Sequence, residues 1–141
     1  MTPHQIQLVQ ASFAKVAPIG STVAGVFYGR LFETAPEVRG MFPDDLTEQK
    51  KKLVAMLATV VAGLTRLDAL VPAVRALGER HAGYGVTAAH FAPVGAALLW
   101  TLERGLGESF TDEVKDAWAT AYDVLSKTMI DAMAQKVPQA A

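Results

Sequence analysis

The sequence predicts an all-α domain of about seven helical segments joined by short connections. Apolar residues recur at steps of three and four along most of the chain, and no stretch alternates with period two for long enough to make a strand. Proline, glycine and side chains suited to capping punctuate the periodic runs. A length of 141 residues suits one domain with one core, so residues 1–141 are expected to form a single unit with at most one pocket.

Thr2 is the expected cap of the first helix, with Pro3 in the first helical position, where a missing amide proton costs little. Ile6, Val9, Phe13 and Val16 form its apolar stripe, and it should end near Pro18 and Gly20. Ser21 or Thr22 is expected to cap the second helix, whose stripe runs through Val23, Val26, Phe27 and Leu31 toward Phe32, with Tyr28 beside it. Ala35 and Pro36 break that helix, and PEVRGMF makes a short third segment. A residue before proline avoids helical angles, so Phe42, ahead of Pro43, belongs to an irregular corner where an aromatic usually plugs a core. Asp44 or Asp45 is read as the cap of a fourth segment. Gln49, Leu53, Met56, Leu57, Val60, Val61 and Leu64 share its inner face, and Gln49 is the lone polar member.

In the fifth segment Leu67, Leu70, Val74, Leu77 and His81 fall on one face, so His81 points coreward from the last turn. Pro72 is read into the first turn and Gly83 and Gly85 into a close by positive backbone angles, which would make this helix short and firmly bounded. Two readings of His81 stay open at this point. An inward neutral imidazole can hold iron, copper, nickel or zinc whose other ligands come from a cofactor, while an imidazolium can cap its own helix against the negative end of the dipole. Thr87 is the expected cap of the sixth helix, with Phe91, Val94, Leu98, Leu99, Leu102 and Leu106 inward and Pro93 bending its early part. Gly105 and Gly107 end it. Thr111, with Asp112 and Glu113 in an acidic first turn, opens the last helix, whose face reads Val114, Trp118, Tyr122, Leu125 and Met129. The tail after about residue 135 is expected to fray.

The chain is 51% hydrophobic and 19% charged with a formal net charge of -1. That balance predicts no bulk attraction to nucleic acid or membrane, and its apolar surplus implies something large wrapped inside or a subunit interface, leaving monomer or homodimer open. The absence of cysteine excludes disulfides, thiolate metal sites and thiol nucleophiles. The opening MTPHQIQLVQ does not read as a secretion signal, and no segment reaches the roughly 18 uninterrupted apolar residues of a membrane span, so a cytoplasmic location is expected. His4, His81 and His90 lack the spacing and the common face of a zinc site. His90 reads as a solvent-facing residue near a helix start.

Around His81 gather a corner phenylalanine, a tyrosine near the core face of the second helix and a glutamine alone on an apolar face. In chain order FYGRLF, PEVRGMF, EQKKKLVAML, LGERHAGYGV, FAPVG and DAWATAYDV follow the pattern of a globin. The chain resembles the bacterial single-domain haemoglobins and the globin domain of flavohaemoglobins, from the first helix to about Ala132. The resemblance implies a globin fold around haem b, iron protoporphyrin IX. It implies His81 as the proximal iron ligand, Phe42 as the corner phenylalanine on the haem face, Tyr28 and Gln49 as distal polar residues, and Leu53 over the sixth coordination site. It further implies Lys52 at a haem propionate, with Leu57, Leu77, Val86, Phe91, Val94 and Leu98 lining the porphyrin. Lys50 and Lys51 read as a solvated charge run.

Such a site would take dioxygen, nitric oxide or carbon monoxide. A hydrogen bond to a partly charged ligand is worth roughly 1.5–3 kcal/mol, so two donors would slow oxygen loss by an order of magnitude or more, and high-affinity reversible binding for storage, transport or scavenging is expected. The alternative is nitric oxide dioxygenation, which needs electrons; the sequence shows no glycine-rich nucleotide fingerprint, so a separate reductase would serve it. The flavohaemoglobin tyrosine and glutamate that polarise the proximal histidine fall at Phe91 and Met133. The remaining ring N–H of His81 is therefore expected to meet a backbone carbonyl near Leu77, giving a more neutral ligand and a weaker push on O–O chemistry.

Overall fold

The computed structural model describes residues 1–83 and 85–136, and among these it contains six α-helices and no strand. They are α1 (Pro3–Val16), α2 (Gly20–Thr34), α3 (Thr47–Gly63), α4 (Leu67–Gly83), α5 (Phe91–Leu106) and α6 (Asp112–Lys136). The expected third segment is a 3₁₀ turn, Pro36–Met41, which brings the count of segments to seven. The VPQAA tail lies outside the described residues.

Local chemistry places most of the boundaries. Thr2 caps α1 through a capping box, its hydroxyl accepting from the Gln5 amide at 3.1 Å while the Gln5 side chain accepts from the Thr2 amide at 3.0 Å. Asp45 accepts the Thr47 amide at 2.9 Å and so steadies the start of α3. Thr111 does the same for α6 by accepting the Val114 amide at 3.2 Å. Gly107 takes φ +56° just after α5, where a side chain would be strained.

Three expectations are corrected. Neither Ser21 nor Thr22 caps α2, which starts at Gly20 without a side-chain cap, because the chain runs into it directly from a 3₁₀ turn, Ala17–Ile19. Pro72 lies inside α4, not in its first turn, since the helix already begins at Leu67. Nor is α4 short and isolated: a 3₁₀ turn, Leu64–Arg66, carries α3 into α4, giving one helical run over Thr47–Gly83. Within that run lies a stretch of mean hydropathy 1.7, long and apolar enough to cross a membrane by length and composition, of which only 17% is buried.

The helices pack mainly in pairs, α4 on α6, α2 on α5 and α1 on α6, while α3 leans on α2 and α1. Neither α3 nor α4 packs extensively on α5. The main core joins Val9, Phe27, Tyr28, Leu31, Leu98, Leu102 and Trp118, and a smaller one joins Leu70, Val74 and Met129 between α4 and α6. Gly78 lets α4 lie directly on α6: a Cβ there would stand 2.7 Å from the Met129 carbonyl oxygen. Arg75 then ties the same two helices by an ion pair to Asp131 at 2.7 Å. These contacts hold in place the helix that carries His81.

Candidate functional site

Tyr28 sits in the third turn of α2 and is only 3% exposed. Its ring is one of a cluster: Phe27 lies 5.0 Å away edge-on, Phe42 5.5 Å away edge-on and Phe32 5.9 Å away, with Phe32 and Phe42 themselves 5.4 Å apart. Phe32 follows Tyr28 by four residues and so shares its helix face. Gln49, in the first turn of α3, donates from its amide to the Tyr28 hydroxyl oxygen at 3.1 Å. With its oxygen accepting, the phenol keeps its own hydrogen to donate onward. Burial raises the Tyr28 pKa above the usual tyrosine value, the Gln49 hydrogen bond acting in the opposite, smaller sense. The hydroxyl is therefore a neutral donor throughout the physiological range.

On the other side, His81 lies half-buried in the last turn of α4, and its Nδ1 stands 2.8 Å from the Leu77 carbonyl oxygen. A carbonyl can only accept, so Nδ1 carries the proton and Nε2 is the basic nitrogen. This is the backbone partner expected one turn back. The Val86 amide donates to the His81 carbonyl at 3.2 Å, and Gly85, at φ +84°, turns the chain between them. Leu77 and Phe91 pack on the Leu70, Val74 and Met129 cluster, while Leu53, Leu57 and Val94 pack on the main core around Leu98.

The sequence-predicted residues thus fall into groups on facing elements. Tyr28, Phe42 and Gln49 are brought into direct contact, Leu53 and Leu57 follow on α3, and Leu77 and His81 share α4. Phe91, Val94 and Leu98 line α5. Lys52 is exposed, Lys51 pairs with Glu48 at 3.4 Å, and Lys50 is half-buried beside Gly25. Behind Leu53 and Leu57 lies an apolar cavity of about 20 Å³, bordered by Phe27, Val54, Leu98 and Thr101. A wider groove of about 230 Å³ between α5 and α6 has its polar groups engaged: Tyr122 donates to the Phe91 carbonyl at 2.6 Å, Ser126 to the Asp123 carbonyl at 3.2 Å, and Asp123 pairs with Lys127 at 2.9 Å. His4 meets Glu113 at 3.2 Å and His90 accepts the Thr87 amide at 2.9 Å, so each has a partner of its own.

A flat, mostly apolar group with a metal at its centre fits these residues. Phe42, Leu53, Leu57, Leu77, Val86, Phe91 and Val94 are all only half-buried, which leaves apolar surface on α3, α4, α5 and the corners beside them for such a group to cover. One imidazole nitrogen with a lone pair stands on α4 and one neutral phenol donor on α2. Sequence reasoning missed Phe32 and Arg39. The spacing of Phe32 from Tyr28 could have revealed the first, but nothing in the local pattern marks the second.

The all-helical architecture, the imidazole on α4 and the phenol and carboxamide paired between α2 and α3 suit a helical haem protein, and comparison with known proteins narrows the class. Residues 25–129 match the family model described as Globin. The flavohemoprotein of Bordetella bronchiseptica is 33% identical over 133 residues, covering 92% of this chain and 33% of that protein. That of Bacillus subtilis is 28% identical over 128 residues, covering 89% and 32%. The chain therefore spans about a third of the length of these curated relatives. Among solved structures, a bacterial globin from Campylobacter jejuni aligns with a TM-score of 0.84 at 26% identity, over 95% of this chain and 97% of that one. An engineered carbene transferase from Rhodothermus marinus, a candidate nitric oxide dioxygenase, aligns with a TM-score of 0.86 at 29% identity, over 96% and 94%. The chain belongs to the globin family, and with it to the haem-binding proteins.

Proposed function

We propose that this globin binds dioxygen reversibly and with high affinity, with haem b held between α3, α4 and α5. Haem, when bound, supplies a ferrous iron with one open coordination position for a diatomic gas. His81 would hold the iron through Nε2, with the Leu77 carbonyl fixing the ring's tautomer and plane. Phe42, Leu57, Leu77, Val86, Phe91, Val94 and Leu98 would cover the porphyrin, Lys52 would reach a propionate, and Leu53 would limit the distal space.

The observation that carries the proposal is the 3.1 Å bond from Gln49 to the buried Tyr28 hydroxyl. It orders the distal pair: Gln49 aligns the phenol, and Tyr28 presents its hydrogen to a ligand bearing partial negative charge. Such a bond is worth roughly 1.5–3 kcal/mol, which converts to about a tenfold to hundredfold slower oxygen release. Oxygen dissociation from the haem-loaded protein tests it. Tyr28→Phe is expected to speed release at least tenfold and Gln49→Leu by less, whereas a change within twofold for Tyr28→Phe would refute the distal assignment.

The flavohemoprotein relatives favour a second reading, nitric oxide dioxygenation with electrons from a separate reductase. The Leu77 carbonyl beside His81 Nδ1 is a neutral acceptor, and a neutral acceptor polarises the ring less than a carboxylate would. Sustained nitrate formation at enzyme-like rates with a supplied reductase would favour the second reading over simple binding.

A further inference from the structure

The corner between the 3₁₀ turn and α3 carries a device that neither the fold nor the proposed pocket accounts for. Residues 42–46 have no regular secondary structure, yet Phe42 must hold a fixed place beside Tyr28. One side chain supplies the missing donors. The Arg39 guanidinium donates from Nη1 to the Phe42 carbonyl at 3.4 Å and the Pro43 carbonyl at 3.1 Å, and from Nη2 to the Asp44 carbonyl at 3.2 Å. The Arg39 carbonyl in turn accepts the Phe42 amide at 3.2 Å, closing the corner at both ends. The same guanidinium lies 4.9 Å over the ring of Phe32, which packs against both Phe42 and Tyr28.

We propose that Arg39 is a positioning residue, a clamp that fixes the Phe42 corner and, through Phe32, the orientation of the Tyr28 donor. The physical case rests on the shape of the group. A planar fork can serve three successive carbonyls while its flat face stacks on a ring; an ammonium has neither the reach nor the face. Half-buried with its face on the Phe32 ring, the cation gives up part of its hydration to the ring and the carbonyls. The carbonyls in turn have no helical amide to satisfy them. The coupling to Tyr28 rests on the proposed function; the clamp on the corner does not.

Two measurements separate these parts. Hydrogen exchange by mass spectrometry on the full chain reads the corner directly. Arg39→Met, which keeps the length and loses the donors, is expected to speed exchange over residues 42–47 at least tenfold with the helices little changed, and Arg39→Lys is expected to restore only part of the protection. Exchange within twofold of the parent over that segment, or a uniform rise across all helices, would overturn the clamp. In protein loaded with haemin, reduced with dithionite, freed of excess reductant and then oxygenated, oxygen release is measured for Arg39→Met, Tyr28→Phe and the double variant. The Arg39→Met variant is expected to release oxygen severalfold faster, and to add less than twofold once Tyr28 is already Phe. Full additivity would overturn the link to Tyr28. A parent chain that failed to take up haemin would refute the proposed function and leave the exchange result to judge the clamp.

Discussion

Two regions of this molecule are built from similar apolar sequence and end up differently. Where α1, α2, α5 and the first half of α6 meet, Val9 is 0% exposed, Leu31 and Thr101 1% and Ala117 0%. Every polar atom there is used locally: Thr101 donates to the Ala97 carbonyl at 2.7 Å, and Ser12 donates to the Leu8 carbonyl at 2.7 Å while accepting the Trp118 indole N–H at 2.8 Å. Across the molecule, the apolar side chains Leu53 and Leu57 on α3 and Leu77 on α4 stay half-buried, and Gln49 and His81 lie on the same two helices. The first region is a finished core. The second keeps apolar side chains half-buried, and it carries the residues assigned to haem under the proposed function.

That contrast can be broken by substitution. Trp118→Ala removes a large side chain that is 3% exposed and leaves the Ser12 hydroxyl without its donor. It is expected to cost about 3–5 kcal/mol of unfolding free energy, measured by denaturant titration of the haem-free protein. A cost below about 1 kcal/mol would mean the closed region is not closed in solution.

Alkaline titration gives the next largest effect. Burial raises the pKa of Tyr122 far above the usual tyrosine range, and raises that of Tyr28 as well. In the unfolded chain both ionise near pH 10, whereas the native protein retains both protons, so the unfolded state binds fewer protons and stability falls as pH rises. Tyr122 contributes a slope of up to about 1.4 kcal/mol per pH unit, starting above roughly pH 10 and absent below it, and Tyr28 acts in the same direction. Tyr122→Phe should remove one such slope from the stability profile. An unchanged profile would place Tyr122 in solvent.

The smallest effect belongs to the open face. Leu57→Ala should cost the haem-free protein about 1 kcal/mol, less than a buried leucine would, since the side chain is only half-buried. In the loaded protein the same change should speed haemin loss to an acceptor apoprotein severalfold. If the haem-free cost matched that of Trp118→Ala while haemin loss stayed the same, the two regions would not differ in kind.

Much of this was legible in the chain. The stripe Leu70, Val74, Leu77, His81 follows from helical spacing, and the caps at Thr2 and Thr111 from residue type, because both depend on neighbours within a turn or two. The short links that fuse α3 to α4 and start α2 at Gly20 were not legible, since Leu64–Arg66 carries no strong breaker, and Pro18 in Ala17–Ile19 marks the end of α1 without distinguishing a 3₁₀ turn from a loop. The position of Gly78 on the α6 backbone and the reach of Arg39 over Phe32 were equally hidden. Each involves a partner chosen by the crossing of elements.

The order of residues by itself determined an all-helical chain, an inward imidazole at position 81 and the candidate phenol, carboxamide and corner ring that face it. Periodicity and caps are local, and a helix needs only its own turns to declare them. Tertiary structure alone decided that Gln49 donates to Tyr28 and that α3 and α4 pack little on α5. Those outcomes depend on distances between elements far apart in the chain, or on rotamers that packing selects, and no spacing rule encodes them.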